Sequence, residues 1–204
     1  MSNESHIWGG KPSYGYRIVS WYTPTYERVA QRFAESLRRI GRDVLLYQYE
    51  STGNWYANVA RKPDFLLRAL DDTPHDIVYI DADAIVHAPL RIFDEWTGEM
   101  LGAHYRMRPG KEPELLGGTL YLRNHDALRI FLKDCRAYMA MTAARGEAIY
   151  CQRAMADLLP SHPDITIRPL PVEYCTIYDG VDRPASGIVI EHMQESRKQC
   201  HGSI

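Results

Sequence analysis

Two carboxylates one residue apart, Asp81 and Asp83, close the segment Ile77-Val78-Tyr79-Ile80-Asp81-Ala82-Asp83-Ala84. Carboxylate oxygens at this spacing can converge on a divalent cation such as Mg²⁺ or Mn²⁺ when they leave a strand end together. A bare pair of this kind is more often an ordinary polar turn. Here four apolar residues precede the pair and Ile85-Val86 follow it, so the acids sit between buried segments. Two charges so placed are costly without a cation or hydrogen-bond donors, and the metal reading is preferred. The surrounding charge agrees: residues 71–99 carry eight acids against Arg91 alone, whereas 1–70 carry ten Lys/Arg against six Asp/Glu. Arg61 and Lys62 offer the complementary chemistry directly before Pro63. Proline suits the first turn of a helix, where free N–H groups and the helix dipole favour an anion. A solvated basic pair is the competing reading.

The elements that must position these residues follow from periodicity. Tyr16 to Tyr22 reads as a strand, and Val29, Phe33, Leu37 and Ile40 recur at helical spacing until Gly41 closes the pattern. Val44 to Tyr49 is a second strand, and Phe65, Leu66, Ala69 and Leu70 mark the next helix. Ile77 to Ile80 is an apolar run of the kind buried in a parallel sheet. The first eighty residues are therefore β-α-β-α-β, a Rossmann-like α/β pattern. Open sheets of this class bind ligands beyond the C-terminal ends of their strands, which is where Asp81 and Asp83 fall. Further on, Met100 to Tyr105 and Thr119 to Leu122 read as strands around the basic loop Arg106 to Lys111. Helices are expected over about His125 to Met141 and Glu147 to Leu159, and late strands over Ile165 to Ile167 and Ile188 to Ile190. The expected fold class is α/β, a mixed sheet flanked by helices in a single domain without a linker.

Composition bounds the possibilities. A chain of 204 residues with 45% hydrophobic and 25% charged content is one ordinary globular domain, which excludes disorder, collagen and coiled coil. No apolar run is long enough to span a bilayer. The start Met1-Ser2-Asn3-Glu4-Ser5 lacks a basic region followed by an apolar stretch, so no secretory signal is read and a cytoplasmic location is expected. The net charge of −2 advertises neither nucleic acid nor membrane. Cys135, Cys151, Cys175 and Cys200 form no C-x-x-C pair and read as reduced packing residues.

The run IVYIDADAIVHAPLRIFDE (residues 77–95) resembles the core of GT-A glycosyltransferases, the nucleotide-diphospho-sugar transferases, in particular a small phage- or bacterial-type member. Three further segments fit that pattern in order. Leu115 to Leu122, with Gly117-Gly118-Thr119, resembles the small-residue strand bordering the donor sugar. Cys151-Gln152-Arg153-Ala154-Met155 resembles the helix start that usually reads Asp-Gln-x-Ala-Leu. Ile190 to Arg197 resembles the late element whose histidine completes the metal site. The resemblance spans roughly Tyr16 to Lys198. It implies one domain over 1–204, with an N-terminal extension (1–15), a nucleotide-binding half (16–99) and a donor-sugar and acceptor half (100–198).

The resemblance also implies roles. Asp83 and His192 would ligate Mn²⁺ or Mg²⁺, with Asp81 on the metal or the donor ribose. Lys62, with Arg61, would meet the donor diphosphate, and Tyr22 and Thr23 would hold base and ribose. Gly117 and Gly118 would allow close approach of the sugar and Thr119 would offer a hydroxyl. Asp83, Gln152 and Glu147 form the catalytic set, Glu147 serving only if the helix begins there. Cys151 departs from the usual Asp, which removes the base expected of inverting members and inclines the reading to retention. The implied activity is metal-dependent transfer from a nucleotide-diphosphate donor, with a UDP-sugar favoured.

The specific acceptor candidate is a hydroxymethylated base in DNA, since compact GT-A-like transferases occur in phage genomes. Arg106 to Lys111, Arg183, Arg197 and Lys198 are placed to contact its phosphates. The protein would then act in the cytoplasm of a bacterial cell or a phage-infected host. A glycan or small-molecule acceptor is the alternative, as is a non-catalytic nucleotide-sugar or metal-binding module. Haloacid-dehalogenase-type phosphatases lose ground because their acid pair follows the first strand. Sugar-nucleotide pyrophosphorylases lose ground because Ser20-Trp21-Tyr22-Thr23-Pro24 replaces their Gly-rich loop.

Overall fold

A computed structural model describes residues 5–8, 14–147, 149–180 and 183–195, the first four as backbone alone. The elements in chain order are β1 (Ser5–Trp8), β2 (Tyr16–Tyr22), α1 (Glu27–Arg39), β3 (Val44–Gln48), α2 (Trp55–Val59), α3 (Lys62–Asp71), β4 (Asp76–Ile80) and β5 (Ala84–Val86). They continue with α4 (Arg91–Asp94), β6 (Leu101–Arg106), β7 (Glu114–Leu122), α5 (Asp126–Ala144), α6 (Cys151–Leu158), β8 (Ile167–Pro169), β9 (Thr176–Ile177) and β10 (Ile190–His192). Seven strands form one mixed sheet in the order β1-β3-β2-β4-β7-β6-β8. A second small sheet has the order β5-β10-β9.

Strand alternation builds two cores from one sheet. In β4, Ile77 and Tyr79 face the layer of α3, α5 and α6, while Val78 and Ile80 face α1, α4 and the small sheet. The same division separates Leu45 and Tyr47 from Val44 and Leu46 in β3. β2, β3 and β4 run parallel, which is why the chain needs α1 and α3 as crossovers. α1 ends at Gly41, whose φ of 72° is open to glycine and lets the Arg42 N–H return to the Leu37 carbonyl at 3.0 Å. No helix among the described residues is long and apolar enough to cross a membrane.

Several boundaries differ from the sequence expectation. β7 begins at Glu114, five residues before the expected Thr119, because Glu114 to Leu116 pair with the end of β6. The β6–β7 register shifts between Ala103 and His104, leaving Gly117, Gly118 and Thr119 opposite the irregularity. α6 begins at Cys151 rather than Glu147. Gly146 (φ 83°) ends α5, and the Glu147 N–H is used to close that helix on the Thr142 carbonyl at 3.0 Å. The late strands start two residues further on than expected, at Ile167 and Ile190. The segment expected as an extension supplies β1, which pairs antiparallel with β3 at the sheet edge.

Candidate active site

β4, the middle strand of the seven, ends at Ile80, directly before Asp81. Ile80 pairs with Thr119 of β7, and the next N–H, that of Asp81, donates to the Gly118 carbonyl at 2.8 Å. Asp83 follows in the turn that leads into β5. β10 then lies antiparallel on β5 with His192 opposite Ala84, so the histidine arrives beside Asp83 from more than a hundred residues away. The Asp83 carbonyl accepts from the Met193 N–H at 3.2 Å, and its carboxylate accepts from the Glu195 N–H at 3.0 Å. One ligand atom from each of Asp81, Asp83 and His192 lies within 4.8 Å of the others.

The set fits a divalent cation. His192 is buried with Nε2 2.9 Å from the Thr119 hydroxyl, while its Nδ1 has no partner among the described residues. The ring lies against Gly118, where a Cβ would stand 2.9 Å from His192 Cε1; glycine is what makes room for it. Burial lowers the pKa of His192 and favours the neutral ring that ligates metals. Burial and the neighbouring Asp81 raise that of Asp83. Two acids in repulsion and an orphaned ring nitrogen are what a cation would satisfy.

Lys62, at the start of α3, places its ammonium 3.0 Å from Asp81 Oδ1 and 3.0 Å from the Gly117 carbonyl. The Tyr79 hydroxyl also donates to Asp81, and burial keeps that phenol protonated. These groups line a cleft of about 430 Å³. Tyr22 and Thr23 line it from the end of β2, Gly117 and Gly118 from β7, and Gln152 from α6. The Gly117 N–H donates to Gln152 Oε1 at 3.3 Å.

Other expected residues fall elsewhere. The Arg61 guanidinium donates to the Glu50 carbonyl at 2.7 Å and does not line the cleft. Thr119 is buried with its hydroxyl 2.9 Å from His192 Nε2. Glu147 is exposed beyond α5 and also lies outside the cleft lining. Arg106 and Arg108 both bind Glu114, and Arg183 donates to Glu191 at 2.9 Å. Arg197, Lys198 and Cys200 lie outside the described residues. Cys151 lines the cleft but is buried, and burial pushes its thiol up to about 12. Sequence reasoning missed two residues that line the cleft: Tyr79, whose alternation in β4 marked it only as core, and Tyr150, which fell inside the helix expected from Glu147.

This arrangement of sheet and helices is a GT-A-like glycosyltransferase fold. The chain is similar to the crystal structure of a glycosyltransferase involved in the glycosylation of the major capsid of PBCV-1, with a TM-score of 0.69 and 15% identity over 93% of this chain and 99% of that one. It is also similar to the glycosyltransferase GlyE of Streptococcus pneumoniae TIGR4, with a TM-score of 0.58 and 17% identity over 86% of this chain and 53% of that one. The apo form of GlyE gives a TM-score of 0.57 at 17% identity, over 87% of this chain and 54% of that one. No protein-family model matches the sequence, and no curated protein matches it either.

Proposed function

We propose that this protein is a divalent-metal-dependent glycosyltransferase that moves a sugar from a nucleoside-diphosphate donor, a UDP-sugar by preference, to an acceptor hydroxyl. The observation that carries the reading is the convergence of Asp81, Asp83 and His192 within 4.8 Å at the C-terminal end of a parallel strand. Mn²⁺ or Mg²⁺ held there would offset the charge that grows on the leaving diphosphate. The imidazole among carboxylates favours Mn²⁺ over an all-oxygen preference.

The chain's own residues do the rest. Lys62, poised between Asp81 and Gly117, offers its ammonium to the phosphate oxygens. Tyr22 and Thr23 border the base and ribose, while the room expected at Gly117 and Gly118 for the sugar is taken by Gln152 and His192. Gln152, held on the Gly117 N–H, presents its amide to the sugar. Among the described residues, the carboxylates lining the cleft are Asp81, Asp83 and Glu114. The first two belong to the metal set. Although partial burial raises Glu114, its arginine partners draw it below the usual carboxylate range. None of the three is available as a base on the acceptor, and the Cys151 thiol is too weak an acid to serve. That supports retention of configuration, with the acceptor proton passing to the leaving phosphate.

The test is nucleotide release from UDP-glucose, UDP-galactose and UDP-N-acetylglucosamine with Mn²⁺. Asp83→Asn keeps an oxygen for the Glu195 N–H, so it should fold yet lose at least about 100-fold in rate. Wild-type rates in that variant overturn the metal assignment. Donor binding without turnover in the wild type would instead identify a binding module.

A further inference from the structure

Three large aromatic side chains remain in solvent at the cleft. Trp55 (42% exposed) and Tyr56 (53%) open α2, and Tyr150 (36%) immediately precedes α6. The Tyr56 and Tyr150 rings stack with centroids 5.7 Å apart and planes 13° apart. Trp55 meets both edge-on, at 5.1 Å from Tyr56 and 5.6 Å from Tyr150. Trp55 and Tyr150 line the cleft itself.

The presentation has its own support. α2 buries none of its side chains. Its first turn is capped by Asn54, whose side chain accepts from the Ala57 N–H at 3.1 Å. Asn58 ties the helix back to the preceding loop, accepting from the Thr52 N–H at 2.9 Å and donating to the Ser51 hydroxyl at 3.2 Å. A short helix held by polar bonds while its aromatic rings face solvent forfeits their burial, and clustered exposed aromatics rimmed by polar groups mark an interaction site.

The surroundings select the occupant. Tyr150 stands two residues before Gln152, whose amide holds the Gly117 N–H, so the platform adjoins the donor-sugar end of the cleft. Lys62 and Arg106 are the cations of the described lining, and both are already paired, with Asp81 and Glu114. A nucleic acid would need free cations beside the stacking surface. A saccharide ring needs none: its C–H face is apolar and its hydroxyl edge meets the Glu114 carboxylate of the cleft lining, whose bonds from Arg106 and Arg108 all fall on Oε2. We propose that Trp55, Tyr56 and Tyr150 form a subsite for a sugar ring of the acceptor, which makes the acceptor a carbohydrate. This rests on the glycosyltransferase reading above.

The experiment is saturation-transfer NMR of the full chain with UDP and Mn²⁺, against methyl glycosides of glucose, galactose, mannose and N-acetylglucosamine. At least one glycoside should bind, and Trp55→Ala and Tyr150→Ala should each weaken it about tenfold, whereas Trp55→Phe should retain it. Absence of binding by every glycoside, or binding unchanged in both alanine variants, overturns the proposal. So does retention on a dT20 oligonucleotide or on phosphatidylglycerol vesicles that those variants abolish. Nucleotide binding in the same samples separates the two readings: UDP bound without any glycoside removes the subsite alone, and failure of UDP, GDP, CDP and dTDP alike to bind removes the transferase reading.

Discussion

The Thr119 hydroxyl and the free Nδ1 of His192 divide the labour of one imidazole: one side is held by the protein, the other is left for a ligand. Groups that orient a ligating histidine typically affect metal affinity by about 10–100-fold when lost. Thr119→Val keeps the branched shape and removes the hydroxyl, so Mn²⁺ affinity should fall by that factor while the fold persists; isothermal titration with Mn²⁺ and UDP checks it. Cys151 makes the opposite argument. A thiol pushed up to about 12 is almost wholly protonated near pH 7 and cannot serve as a base. Removing a true general base costs about 10²–10⁴-fold, so Cys151→Ala should keep its turnover within about tenfold. A deeper loss would return Cys151 to the catalytic set. The acid pair was legible from its apolar flanks together with its spacing, because two carboxylates between apolar segments demand compensation. His192 was legible only through resemblance, since nothing about a single histidine near the end of a chain gives its distance from Asp83. Thr119 looked like a sugar contact because its partner in space lies 73 residues away.

Positioning at the next scale depends on a pairing of three residues. β10 lies on β5 with Ile190 opposite Val86 and His192 opposite Ala84, and Ile190 anchors that strand in the core shared with α1. Ile190→Ala should cost about 2–5 kcal/mol, as buried aliphatic truncations do, and should weaken Mn²⁺ binding as well. Leu37→Ala in α1 empties the same core at similar cost but leaves β10 paired, so the metal affinity of its folded fraction should stay unchanged. Urea melts and metal titrations on the two variants separate positioning from stability. The β-α-β-α-β opening was readable because each element is long enough to show its period. β5, β9 and β10 have two or three residues each, too few for any alternation to register. The late start of α6 was hidden for a different reason: Glu147 favours a helix in isolation, but its N–H is used to finish α5.

At the scale of the molecule, one sheet runs through both functional halves that the resemblance implied within a single domain. β7 is hydrogen-bonded to β4 on one side and to β6 on the other, and the core under α3 is completed by α5 and α6. The candidate site crosses the same seam, with Asp81, Asp83 and Lys62 from one half and Gly117, Gln152 and His192 from the other. Calorimetry should therefore show one unfolding transition, not a nucleotide-binding half melting apart from the rest. Ligands that bridge the seam should move that transition as a unit. At a hundred times its dissociation constant a ligand adds about 2.7 kcal/mol, which for a chain of this length is a rise of about 5–10 °C. Comparing UDP, GDP, CDP and dTDP with and without Mn²⁺ should give that rise for UDP and Mn²⁺ together and little for either alone. Asp83→Asn should abolish the rise yet leave the ligand-free transition near its original temperature, because the lost carboxylate was one of two acids in repulsion. A shift with a different nucleotide would rename the donor. Two separate transitions would mean that the halves fold independently and that the site forms only when they dock.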